Sequence, residues 1–229
     1  APERVDGMMQ SLVDMYKEGG WLPKWPNPSY TGIMVGAPAE VALAEAYVKG
    51  FRGFDLETAY AAVKKNATVP QDGDDDRDWR DRGEFGRTPE TRAGLKSYLE
   101  RGYVACDLTR ESVSRTQDFG LADLSAAILA EATGHADEAA IFRARSKNYT
   151  NLWNAVAGQF LPRKADGSFV AGDWTVVGKM RGYPAKAYCE QKPETATWAI
   201  PYDTDGLVAL LGGKEEAVRK LDEFFDCLF

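Results

Sequence analysis

The chain has 229 residues, with 28 lysines and arginines against 35 aspartates and glutamates, a net charge of -7 and 44% hydrophobic residues. Those proportions suit one or at most two globular domains and exclude a disordered chain, a collagen or a coiled-coil rod. An acidic chain without a concentrated basic patch is repelled by phosphate backbones, which removes nucleic acid as a partner. No run approaches the roughly 18 apolar residues of a bilayer span and no charged-then-apolar leader opens the sequence, so a soluble chain without a membrane span is predicted. Cys106, Cys189 and Cys227 fit neither a zinc site nor a dense disulfide frame. The sequons Asn66-Ala67-Thr68 and Asn148-Tyr149-Thr150 are compatible with a secreted or organellar-lumen protein.

Pro2 suits a first helical turn, and Val5, Met8, Met9, Leu12, Val13 and Tyr16 recur at helical spacing until Gly19-Gly20 stops the pattern. From Trp21 to Pro38, prolines and glycines alternate with Trp21, Trp25 and Tyr30 in a long aromatic loop, a kind of segment that tends to carry function. Helices are predicted from about Ala39 to Lys49 and, after the cap Asp55, through Leu56, Tyr60 and Val63. Between Pro70 and Thr88, Asp72, Asp74 and Asp76 alternate as in a calcium loop. Arg77 stands where such a loop needs glycine and Gly83 where it needs glutamate, so the stretch reads as a solvated loop of paired charges. Helical periodicity returns at roughly 89–102, 109–133 and 136–156. Residues 158–177 alternate Phe160, Phe169, Trp174 and Val176 with polar residues around Ala165-Asp166-Gly167, a small β-hairpin. Helices resume near Pro193, and the last runs from Lys214 to Leu228. Eight or nine helices, one hairpin and no internal linker predict a mainly α single domain over residues 1–229.

His135 is the single histidine and lies in a helix-start context, which nearly excludes a histidine triad or a multi-histidine metal site. No glycine-rich phosphate loop is present. Carboxylates and aromatics remain, the groups of carbohydrate chemistry: stacking faces for sugar rings and acids for glycosidic bonds. The most suggestive stretch runs from Tyr188 to Asp203. In it Glu190 follows an apolar turn and precedes a helix, where burial would raise its pKa toward a general acid's range.

Several segments, taken in order, resemble the helical catalytic domain of the glycoside hydrolase family 92 exo-acting α-mannosidases. They are Gln10 to Tyr16 followed by Gly20-Trp21-Leu22-Pro23; Tyr30-Thr31-Gly32 before Met34; Ala46 to Gly50; Ser112-Val113-Ser114-Arg115-Thr116; Arg145 to Tyr149; and Gly212-Gly213-Lys214. The resemblance runs from near residue 1 to about 226. It implies paired helices in an (α/α)6 toroid and a calcium-dependent inverting removal of terminal α-mannose from glycans. By the same resemblance Glu190 matches the family's general acid, with Trp198, Pro201 and Asp203 at matching downstream positions. Trp21, Tyr30, Trp198 and Asp203 are the residues expected at the sugar.

The departures are specific. Gln191 to Ala196 replace the Gly-Asn and aromatic-Gln-aromatic run that usually follows the acid. Gly36-Ala37-Pro38 replaces a Gly-Asp-His loop, and Pro201-Tyr202-Asp203 a Pro-His-Asp. The resemblance places the calcium ligands and the aspartate base in segments expected after residue 229, and a Trp-Asp sugar-binding segment before residue 1, so no calcium ligands are expected in this chain. Inversion needs a second carboxylate roughly 6.5 to 9.5 Å from the acid, and the sequence offers no convincing one. Twelve toroid helices would have about 19 residues each, yet the helices read here use the whole chain for eight or nine. An incomplete toroid is therefore predicted, with a protein partner or a second copy covering Val5, Met8, Leu12, Phe224, Phe225 and Leu228. Two functional readings follow: a portion of an α-mannosidase with Glu190 as its acid, or an inactive descendant kept as a binding or structural subunit. The altered motif and missing base weigh toward the second for the chain as it stands.

Overall fold

The computed structural model describes residues 2–26, 30–31, 34–70, 91–170 and 187–226. Among these are nine α-helices and two short antiparallel strand pairs, the mainly α array of paired helices that the sequence predicts. The aspartate-rich stretch, Trp174 to Val177, Cys227 and Leu228 lie outside the described residues.

After one 3-10 turn at Pro2–Arg4, α1 (Val5–Gly19) runs until Gly20, whose left-handed backbone (φ 82°) lets its N–H close the helix on the Tyr16 carbonyl at 2.8 Å. α2 (Pro38–Val48) opens on a proline and buries Ala39, Leu43, Ala44 and Ala46. α3 (Leu56–Thr68) begins where the predicted cap stands: the Asp55 carboxylate accepts the Thr58 N–H at 3.1 Å and the Thr58 hydroxyl at 2.7 Å. Short α4 (Leu95–Arg101) precedes α5 (Ser112–Ala132), which spans 21 residues and is buried nearly all round. α6 (Ala136–Arg145) packs back on α5. Together α1, α2, α3, the C-terminal half of α5 and α6 enclose a core of leucines and many alanines, including Leu43, Ala62, Val63, Ala126 and Leu129. Alanine faces let these helices approach closely, and each fully buried leucine contributes about 1.5–3 kcal/mol.

The helix predicted over 136–156 stops at Arg145. The Ser146 hydroxyl bonds back to the Arg143 carbonyl and that of Thr150 to the Lys147 carbonyl, and the chain tightens into a 3-10 turn at Asn148–Leu152. Such side chains compete with the helical ladder, and the turn swings Tyr149 and Leu152 into a second core. There β3 (Trp153–Asn154) pairs with β4 (Gln159–Phe160), and Arg163 bridges Phe169 across the predicted 165–167 turn. A second pair lies in the aromatic loop, where the sequence predicted no strand: β1 (Trp25–Pro26) and β2 (Tyr30–Thr31). The chain finishes with short α7 (Pro193–Thr197), α8 (Thr204–Leu211) capped by Asp203, and α9 (Lys214–Asp226). His135 sits exposed at the N-cap of α6, as predicted. Asn66 of the first sequon is buried, donating from Nδ2 to Thr91 at 3.2 Å, so in the fold it is closed to glycosylation.

A buried charge network ties α2, α4, α5 and the end of α6 together. Arg92 donates to Glu40 at 2.5 Å and to Asp123 at 2.6 Å, while Asp123 also accepts from Arg145 at 3.0 Å and from the Tyr98 hydroxyl at 2.9 Å. Two carboxylates balance two guanidiniums, so this buried cluster holds no net charge. Burial pushes the Glu40 carboxyl up, opposed by Arg92.

Candidate active site

The N-terminal turns of α5 carry the 187–191 segment across them. The Val113 N–H donates to the Ala187 carbonyl at 2.9 Å. The buried Ser114 hydroxyl accepts the Cys189 N–H at 2.9 Å and the Gln191 side-chain amide at 2.7 Å. Glu190 lies between these two anchored residues with φ 53°, and Glu111, at the cap of the same helix, has φ 56°. A left-handed non-glycine residue costs about 1–2 kcal/mol, and such strain gathers at functional sites. Both strained acids flank Cys189, whose thiol is pushed up to about 12 by burial, and then by Glu111, to which it donates, and by Glu190. The thiol is thus protonated and inert. Arg115 holds Glu111 from the next turn at 2.9 Å.

One turn further along α5, the Asp118 carboxylate lies 3.3 Å from where a side chain at Gly36 would begin. Burial pushes Asp118 up to about 6 against the opposing charges of Arg115 and Lys24. Lys24 also holds the 34–36 turn by donating to the Met34 carbonyl at 3.1 Å. On another side of the helix the Gln117 amide donates to the Ala196 carbonyl, and the Tyr202 hydroxyl to the Gln117 carbonyl, each at 2.8 Å.

Glu190 is exposed, where the sequence predicted a burying environment. Its carboxylate makes no hydrogen bond or ion pair with another described residue. Asp203 is engaged three ways: it caps α8 at Gly206, pairs with Lys147 at 2.6 Å and accepts from Tyr149 at 2.5 Å. Burial raises its pKa, but these partners outweigh it and hold the carboxyl below the usual range. Trp198 is half-buried against the second core, 6.3 Å from the Phe224 ring. Tyr30 and Trp21 meet beside α1: the Tyr30 hydroxyl lies 2.6 Å from the Trp21 carbonyl and 2.8 Å from that of Met15, and the Lys65 ammonium sits 4.3 Å from the Trp21 ring centre. The sequence reading missed Ser114, Glu111 and Asp118 as individuals, although Ser114 lies in the quoted 112–116 segment. No local signal marks a left-handed glutamate. Among the described residues no group of three or more carboxylate, histidine or cysteine side chains could hold a metal ion, so calcium has no fitting donor set there. Among them, too, no helix is long and apolar enough to cross a membrane.

An incomplete array of paired helices, with an acid-bearing segment laid across the first turns of its longest helix, is the class of helical glycoside hydrolase catalytic domains. The chain belongs to glycosyl hydrolase family 92, whose catalytic-domain model matches residues 1–228. It is similar to a GH92 inverting mannosidase of Bacteroides thetaiotaomicron (TM-score 0.83, 26% identity, 96% of this chain and 27% of that one). It is also similar to a GH92 α-mannosidase of the same species (TM-score 0.80, 27% identity, 97% and 27%). An uncharacterized secreted glycosidase of Arthroderma benhamiae is 28% identical over 234 residues, 94% of this chain and 30% of that protein. The chain thus spans less than a third of the length of these relatives.

Proposed function

We propose that this glycosidase-family domain contributes the general acid of an inverting exo-α-mannosidase that removes terminal α-mannose from secreted or lumenal glycans. The observation that carries the proposal is Glu190 itself: a solvent-facing acid, its carboxylate bonded to no other described residue, on a strained backbone anchored at both flanks to α5. As the glycosidic C1–O bond breaks, Glu190 gives its proton to the leaving oxygen, and a water activated by a second carboxylate attacks the opposite face. We assign that base, and the calcium implied by family membership, to segments beyond the 229 residues. Trp21, Tyr30, Trp198 and Asp203 remain the proposed sugar-side residues.

Mannose release from an α-linked disaccharide by the protein carrying those segments, measured with and without calcium, tests this. Glu190→Gln is expected to lose about 100-fold or more, and the first product seen by NMR is expected to be β-mannose. No turnover by the wild-type protein with those segments present would leave only the binding-subunit reading. We also propose a protein partner or second copy over the apolar faces. Met8 is 60% exposed on α1, and Val218 (51%) and Phe225 (53%) are exposed on α9. Light scattering is expected to show self-association of the isolated chain, and a well-behaved monomer overturns the claim.

A further inference from the structure

We infer that Ser114 is a positioning residue for Glu190, resting on the reading of Glu190 as the general acid. A serine hydroxyl has two lone pairs, and here residues 189 and 191 occupy both, one from each side of the acid. The backbone of Glu190 is thereby held in a left-handed conformation that is costly for a glutamate, while its exposed side chain is bonded to no other described residue. Ser114 is a firm support: it is 3% exposed, on the helix that the buried Arg92–Asp123–Arg145 network anchors. Cys189 is fixed a second time through its thiol to Glu111, itself steadied by Arg115. This gives the Ser112–Thr116 segment a division of labour. Thr116 ties the helix to the Val104 N–H at 3.0 Å, Arg115 restrains Glu111, and Ser114 aims the acid. An error of about 1 Å at a reacting group costs on the order of 100-fold in rate, so an aiming contact has a kinetic signature of its own.

Two substrates isolate that signature. A mannose disaccharide needs its leaving oxygen protonated, whereas 2,4-dinitrophenyl α-mannoside expels a stable phenolate without help. In Ser114→Ala, turnover of the disaccharide is expected to fall about tenfold and that of the dinitrophenyl substrate to stay within about twofold. Glu190→Gln should show the same selectivity, larger, and Ser114→Thr, which keeps the hydroxyl, should restore the disaccharide rate. The leaving-group ratio is independent of how much protein is folded, so a merely structural serine would slow both substrates equally, and that result overturns the inference. Hydrogen exchange gives an independent reading: the Cys189 amide should exchange faster in Ser114→Ala, and unchanged protection also overturns it. A wild-type protein that carries the base segment yet shows no turnover, or Glu190→Gln without leaving-group dependence, instead overturns the acid assignment beneath it.

Discussion

The two cores of this chain are built by different rules. The first, around α1, α2, α3, α6 and the C-terminal half of α5, consists of capped, periodic helices meeting through alanines and leucines. The second, around Tyr103, Tyr149, Phe160, Tyr188, Ile200 and Leu207, is made of short helices, turns and edge-on rings such as Tyr149 on Phe160 at 5.8 Å. α5 runs through both, periodic and alanine-lined at one end, polar and hydrogen-bonded to the 187–191 segment at the other. Regular packing gives a rigid support but leaves no backbone free to present an acid. Irregular packing leaves one, provided that something rigid holds it.

The regular side of the molecule is damaged most by cutting the charge network that ties α2, α4, α5 and α6. Asp123→Ala leaves Arg145 without a carboxylate and Arg92 with Glu40 alone, one uncompensated positive charge in the buried cluster, and a loss of about 3–5 kcal/mol is expected in urea or thermal unfolding. A smaller break falls where the cores touch. A methyl at Gly120 would run into the Tyr202 hydroxyl and lie 2.9 Å from the Ser146 carbonyl. Gly120→Ala therefore loses about 1–3 kcal/mol to overpacking against a gain of about 1 in helix propensity, and a net drop in Tm is expected. The smallest effect sharpens the comparison. Between the usual carboxylate pKa of 3.8 and about 6, folded Asp118 keeps a proton that the unfolded chain releases. Its contribution is thus full below about pH 4 and lost as pH rises through 6. Relative to wild type, Asp118→Asn is expected to gain about 1–2 kcal/mol at pH 7.5, discounted for partial exposure, and nothing at pH 4. Denaturation at the two pH values decides it.

Legibility followed the same division. The Asp55 cap, the Gly20 stop and the faces of α1 to α3 could be read directly, because each depends on residues within a turn of one another. The helix predicted past Arg145 was too long because periodicity does not register the bonds from Ser146 and Thr150 back to the chain. Glu190 was identified through resemblance, but its exposure, its strained backbone and its support by Ser114, 76 positions earlier by number, left no local trace.

The amino-acid order alone determined the helical class, the family resemblance and the candidate acid, because helical faces, caps and short motifs are encoded by neighbours in the chain. Only the tertiary structure decided which polar side chains also hold the fold, as Asp203 does in capping α8, and which acid no other described residue engages on its fixed backbone. That choice depends on contacts between residues distant in sequence, where burial and hydrogen-bond geometry set the outcome.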